Sequence, residues 1–276
     1  MTVPIAVYDG AMPSSDPDYL RSLYTAEERI GADYPDVRRE IFPNLIRAVP
    51  KEAHGEGFVI YTKLDEESAD AAIREQIAYF EKIGADFEWK LFDYDSPPDL
   101  KERLAAHGFE IGEPESLMIL PLDAAPPSLL APVREDVRRL VDPAELETIR
   151  NIEDEVWQTD HESLIQYLRL MMTESPERMS FYAAYAGERP VSCAWIHFSP
   201  TGQFASLWGG STLAEYRGRG LYTALLAVRV QEAIRRGRHF LTIDASPMSR
   251  PIVERFGFVY VATTYPCQWT HARTDS

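Results

Sequence analysis

The four residues Arg217-Gly218-Arg219-Gly220 stand between a strand-like stretch and a helix-like one, and their types suit them to hold an anion. A glycine-rich turn at a helix start leaves backbone N–H groups unpaired and aimed at one point, with the positive end of the helix dipole behind them. Gly218 and Gly220 remove the Cβ atoms that would keep phosphates at a distance, and Arg217 and Arg219 add charge. A pyrophosphate fits such a turn. Taken alone, a Gly/Arg-rich turn is often only a turn, so the elements around it decide. Before it, Phe204-Ala205-Ser206-Leu207-Trp208 alternates as a strand, and Gly209-Gly210 marks a bulge or a close backbone approach. After it, Leu221, Leu225 and Val228 form one apolar row and Leu226, Val230 and Ile234 another, which predicts a wide-faced, largely buried helix. Arg235-Arg236-Gly237 closes it.

Arg217-x-x-Gly220 in this setting resembles the acetyl-CoA pyrophosphate loop of the GCN5-related N-acetyltransferases (GNAT), whose pattern is Gln/Arg-x-x-Gly-x-Gly/Ala. Downstream, the strand Phe240-Leu241-Thr242-Ile243-Asp244 and a short helix ending in Arg255-Phe256-Gly257-Phe258 are similar to that family's later strand, terminal helix and Gly-Phe turn. The resemblance spans roughly residues 132 to 270. It implies acetyl-CoA (coenzyme A) as cofactor, held by Thr212, Leu213, Arg217, Gly218, Arg219, Gly220, Leu221, Tyr222, Ser246 and Ser249. It also implies a thioester carbonyl polarised by a backbone N–H near Gly209 to Leu213. Two positions depart from the pattern: Tyr222 replaces the last Gly/Ala, and Val253 stands where many members carry a tyrosine acid.

Acetyl transfer to an amine needs a deprotonated amine, a polarised carbonyl and a thiolate that is protonated or stabilised as it leaves. Asp244, at the end of its strand, and His197, on the neighbouring strand, are the candidate bases. Asp244 equally suits a cap for the 246–249 turn, and a lone strand histidine suits a structural role. Tyr222, Ser246, Ser249 or Tyr265 could supply the proton, or a thiol of pKa about 8.5 could leave unassisted. In the family the two early helices wall the acceptor site. Here Glu153, Asp154, Glu155, Trp157, Asp160 and His161 crowd their junction, and with Trp208 they could grip a cationic amine. A charge run at a helix end is also a common solvated face.

The chain has 276 residues, room for two domains. Residues 1–130 hold 12 Lys/Arg against 26 Asp/Glu, so most of the net charge of −16 lies there. Such acidity disfavours nucleic acid and anionic membranes as partners and is compatible with a small-molecule or peptide amine; a homodimer stays open. Met1 to Ala6 shows no basic leader, no apolar run is long enough to span a membrane, and Cys193 and Cys267 form neither a disulfide framework nor a metal cluster. A cytoplasmic protein without a metal is expected.

Elements in the first part repeat the order seen after the phosphate loop. A helix over 66–82 is followed by a strand at 87–92, a short helix from Pro97, His107-Gly108-Phe109, and a strand at 117–120. Residues 14–48 read as two helical pieces, the second broken at Pro43. Ala105-Ala106-His107-Gly108-Phe109 matches Glu254-Arg255-Phe256-Gly257-Phe258, which points to an internal duplication. Where the first copy needs a phosphate loop it has Asp65-Glu66, which would repel phosphate. The expected architecture is therefore α/β (α+β): two tandem acyl-CoA N-acyltransferase-like domains, each a mixed central sheet flanked by helices. Residues 1–125 form the degenerate copy, residues 122–128 the linker region, and 132–276 the catalytic domain. The expected function is acetyl transfer from acetyl-CoA to a primary amine by direct attack. A non-catalytic acyl-CoA-binding regulatory or partner-binding protein is the alternative; a dinucleotide enzyme is discounted because the glycine spacing is wrong.

Overall fold

Two hairpin-and-fork units built from the same order of elements share one sheet. The computed structural model describes residues 15–51 and 55–271, so the stretch that bears on a leader lies outside it. Helix α1 (Pro17–Tyr24) starts at Asp16, whose carboxylate accepts from the backbone N–H groups of Asp18 and Tyr19, and runs into a π-helical turn, Thr25–Ile30. Then come β1 (Val37–Ile41), β2 (Leu45–Pro50), β3 (Gly57–Thr62), α2 (Ala69–Ile83), β4 (Phe87–Phe92), α3 (Leu100–Ala106), β5 (Glu110–Ile111) and β6 (Glu115–Pro121). The second half holds α4 (Pro127–Leu130), β7 (Val137–Leu140), α5 (Glu147–Trp157), α6 (Glu162–Glu174), β8 (Met179–Ala186), β9 (Arg189–Phe198) and β10 (Phe204–Thr212). It ends with α7 (Leu221–Arg235), β11 (Phe240–Ala245), α8 (Arg250–Glu254) and β12 (Val259–Trp269).

The strand order is β1-β2-β3-β4-β12-β6-β11-β10-β9-β8-β7, with β5 against β12. Read from either end it begins with antiparallel neighbours and reaches one parallel pair, β3 with β4 and β10 with β11. At the centre each half hands its last strand to the other. β12 pairs with β4 from Trp269↔Phe87 to Thr264↔Phe92, β6 pairs with β11 from Pro121↔Phe240 to Ser116↔Ala245, and β6 and β12 pair with each other. The exchange covers two sheet edges that would otherwise stand open.

Two expectations are corrected. The second helical piece before Pro43 is a β-hairpin, because Leu45 to Val49 are buried on β2 and β1 completes their ladder, with Glu40 accepting from Arg47 Nε at 2.7 Å. The segment read as a linker is packed: Leu122 and Leu129 are buried, and Gln231 Nε2 of α7 donates to the carbonyls of Leu129 and Ala131 at 2.9 Å each. Among the described residues no helix is long and apolar enough to cross a membrane.

Candidate active site

The loop before α7 is shaped by two glycines in the left-handed region, Gly218 at φ +72° and Gly220 at φ +82°. A Cβ on Gly218 would meet nothing within 4 Å, so the space in front of it is open. The backbone N–H groups from Gly218 to Thr223 find no acceptor among the described residues, and Ala224 N–H is the first to bond back, to Gly220. Arg217 Nε donates to Thr212 O at 3.1 Å and ties the loop to the end of β10. Arg219 turns back, with Nη2 on Glu215 O at 2.9 Å. Free N–H groups, an open concavity and a helix dipole fit a pyrophosphate. Glu135 stands at the rim, its Oε1 3.6 Å from where a Cβ on Gly220 would lie.

From this loop the sheet opens as a fork. β10 and β11 pair only from Phe204↔Phe240 to Ser206↔Thr242; beyond, β10 stays with β9 and β11 with β6. β10 bulges between Gly209 and Ser211, and a Cβ on Gly209 would lie 2.4 Å from the Trp195 ring, so only glycine is accommodated. Arg229 of α7, 1% exposed, anchors the bulge: its Nη1 donates to Trp195 O at 3.2 Å and Trp208 O at 3.1 Å. Burial lowers this guanidinium to about 10. Because a trans peptide sets N–H opposite C=O, fixing the Trp208 carbonyl directs the Gly209 N–H away from that anchor.

Trp208 and Asp244 each lie two residues past the fork, in register with Phe204 and Phe240 on the sheet face that carries Tyr24. Asp244 Oδ2 is 3.2 Å from Lys90 Nζ, and its Oδ1 is buried without a partner among the described residues. His197 shares that face, 7% exposed, its ring centroid 5.9 Å from that of Tyr34. Burial, then Arg178 and Arg238, lower its imidazole to about 4, and Nε2 has no partner among the described residues. Tyr222 lies on the opposite face, its ring 3.1 Å from the position of a Cβ on Gly210, and burial raises its phenol. The three candidate catalytic side chains are therefore not brought together: Asp244 and His197 share a face and Tyr222 does not.

Glu153 turns inward from α5, 4% exposed, accepting from Ser211 Oγ at 2.9 Å and Cys193 Sγ at 3.2 Å, while Trp157 Nε1 donates to Ser211 Oγ at 3.1 Å. His161 pairs with Asp154 at 2.9 Å, and Arg150 gathers Asp154, Asp160 and Glu162, so this part of the junction is a solvated ion network. Ser246 and Ser249 bond to each other at 3.2 Å at the start of α8. Val253 is fully buried, and Tyr265 sits across the sheet beside Leu91 under Lys101. Sequence reasoning missed Arg229, although an arginine beside Leu225, Leu226 and Val230 in a buried helix was a visible signal.

The equivalent fork of the first half is filled. β3 and β4 pair from Gly57↔Phe87 to Val59↔Trp89 and then part. Into the gap Arg29 places its guanidinium, with Nε on Ile60 O at 3.1 Å, Asp95 at 2.8 and 2.9 Å, and the Phe92 ring at 3.9 Å. At the start of α2, Asp65 Oδ1 accepts from Ser68 N at 2.8 Å, so a carboxylate occupies the anion position.

The model of the acetyltransferase (GNAT) family matches residues 146–258, which contain the loop and the fork. No curated protein matches the chain in sequence. Among solved structures, a GCN5-related N-acetyltransferase from Kribbella flavida superposes with a TM-score of 0.66 at 14% identity, covering 95% of this chain and 98% of its own. A functionally unknown conserved protein from Staphylococcus epidermidis gives 0.65 at 15%, covering 87% and 96%. A tandem GNAT protein from the clavulanic acid biosynthesis pathway gives 0.59 at 14%, covering 96% and 91%. At these identities the similarity concerns the fold.

Proposed function

We propose that this chain, whose residues 146–258 match the model of the acetyltransferase (GNAT) family and whose fold superposes on a tandem GNAT protein, transfers an acetyl group from acetyl-CoA to a primary amine by direct attack. The observation that carries the reading is the continuity of the loop and the fork: the free N–H groups from Gly218 to Thr223 lead, along β10, to a gap between β10 and β11. The cofactor supplies an activated thioester. The chain's own part is to hold the pyrophosphate on the loop, seat the pantetheine arm in the fork, and offer the Gly209 N–H to the carbonyl oxygen. The buried Val253 can give no proton, so the thiolate departs unassisted or draws on a seryl group at 246 or 249.

Residues 1–125 and 132–276 are, in this reading, two acetyltransferase-like units, of which only the second takes coenzyme A. The Arg29 plug and the Asp65 cap support that asymmetry. Titration of the full chain with coenzyme A tests it. One site per chain, weakened by Gly220→Asp, is expected, together with thiol release from acetyl-CoA in the presence of an amine panel. Two equivalent sites would overturn the asymmetry, and binding without thiol release for any amine would favour an acyl-CoA-binding regulatory protein.

A further inference from the structure

On the face of the sheet where Trp208 and Asp244 emerge from the fork, Glu28 Oε1, Asp244 Oδ1 and His197 Nε2 are buried without a partner among the described residues. Native folds rarely leave such atoms unpaired, and three around one spot need an explanation. Of the cations nearby, Arg238 spends Nη1 and Nη2 on the carbonyls of Gly202 and Ser199 and leaves Nε without a partner among the described residues, and Arg178 spends Nη1 and Nη2 on Asp33. Lys90 takes the other oxygen of Asp244. Around the three atoms stand Tyr24, Tyr34 and Tyr167, each raised by burial, with Asp244 and Glu28 among the charges acting on both Tyr24 and Tyr34. Their hydroxyls have no hydrogen-bond partner among the described residues. The cluster is not sealed, because the Asp244 side chain keeps 25% of its surface exposed.

We propose that this cluster is the acceptor site, and that Glu28 and Asp244 receive the ammonium group of a small primary amine whose apolar or aromatic body lies among Tyr24, Tyr34 and Tyr167. The inference rests on the acetyl-transfer reading, and it adds that the N-terminal segment supplies half of the acceptor pocket. The chemistry selects the class. Two carboxylate oxygens are acceptors waiting for N–H donors, and tyrosine faces attract a cation. Burial, then Glu27, raises the Glu28 carboxyl to about 7, as befits a carboxylate awaiting a cation.

The test uses the full chain saturated with coenzyme A, titrated calorimetrically with 2-phenylethylamine at pH 8 and, as its uncharged counterpart, with 2-phenylethanol. The amine should bind at least ~10-fold tighter than the alcohol, and Glu28→Gln and Asp244→Asn should each remove ~10-fold or more of that affinity while coenzyme A affinity holds. Equal binding of amine and alcohol, no binding of the amine, or unchanged amine affinity in Glu28→Gln overturns the proposal. If Glu28→Gln also loses coenzyme A, Asp244→Asn decides alone; unchanged amine affinity there overturns the proposal too. Failure of wild type to bind coenzyme A would instead overturn the acetyl-transfer reading.

Discussion

Lys90 of β4 places its Nζ 3.2 Å from Oδ2 of Asp244 on β11. The same ammonium is 2.8 Å from Oε2 of Glu115 on β6. One cation from the first half therefore balances a carboxylate on the fork of the second together with one on the exchanged strand β6. Burial opposes its charge, but Asp244, Glu115 and Glu88 together hold it above the ordinary lysine range. Lys90→Met would leave these carboxylates without their cation, and removing one partner of a buried pair costs about 3 to 5 kcal/mol. Denaturant unfolding should show a loss toward the lower end of that range, since Lys90 retains some exposure; an unchanged midpoint would refute the coupling.

The strand exchange sets a second expectation. A truncated chain of residues 132–276 loses β6, which lies between β11 and β12, and loses β4, the other neighbour of β12. Leu241 and Ala245 would line an open edge. Such a fragment should aggregate on purification, whereas a monodisperse, fully active fragment would show that the halves fold independently.

The glycine turn and the start of α7 were legible in the sequence because their signal is local: glycines, arginines and an apolar helical row lie within a few residues. The fork was legible only through family resemblance. The exchanged strands were not, since an apolar alternation such as Leu117 to Leu120 tells which face is buried but not which strand lies alongside. Charged Arg38, Arg39 and Glu40 hid β1 inside a helix-like pattern, and only the buried run on β2 decides it. Glu28 and Tyr34 reach the second half through tertiary contact alone, so no spacing rule could have found them.

Gly220→Asp should weaken coenzyme A binding by ~10-fold or more, because it forces an L-residue into φ +82° and sets a carboxylate against the anion. Glu135→Gln works the other way. Its carboxylate at the rim is exposed, so removing it should tighten binding only about 2- to 3-fold and make the affinity less salt-dependent. Calorimetry at two ionic strengths checks both, and a weaker Glu135→Gln would mean that this side chain holds the loop in shape.

Burial raises the carboxyls of both Glu28 and Glu88 from 4.5 to about 7. Between those values the folded chain keeps protons that the unfolded chain has released. Stability from these groups is thus full below about pH 4.5 and falls as pH rises through 7. Thermal midpoints should decline from pH 5 to pH 8, and Glu28→Gln, neutral at every pH, should flatten the decline. A midpoint that rises over this range in wild type would contradict the assignment.

The last prediction concerns the proton that the departing thiolate needs. Val253 is sealed in the core, and Tyr222 packs beneath Gly210 on the face opposite Asp244 and His197. A phenol there shapes the floor of the fork instead of facing the acceptor side. Tyr222→Phe keeps the ring and removes only the hydroxyl, so kcat should change less than about 3-fold and the KM for acetyl-CoA should hold. Rate against pH should show one ascending limb, from deprotonation of the amine or its base, without a descending limb near a tyrosine pKa of about 10. Asp244→Asn, which disturbs the acceptor side, should instead raise the amine KM and lower kcat/KM by ~10-fold or more. Profiles of wild type and both variants, with an amine that turns over, separate the cases. A loss of about 10² in Tyr222→Phe with an alkaline limb abolished would make Tyr222 the acid, and an unaffected Asp244→Asn would remove that carboxylate from the acceptor site.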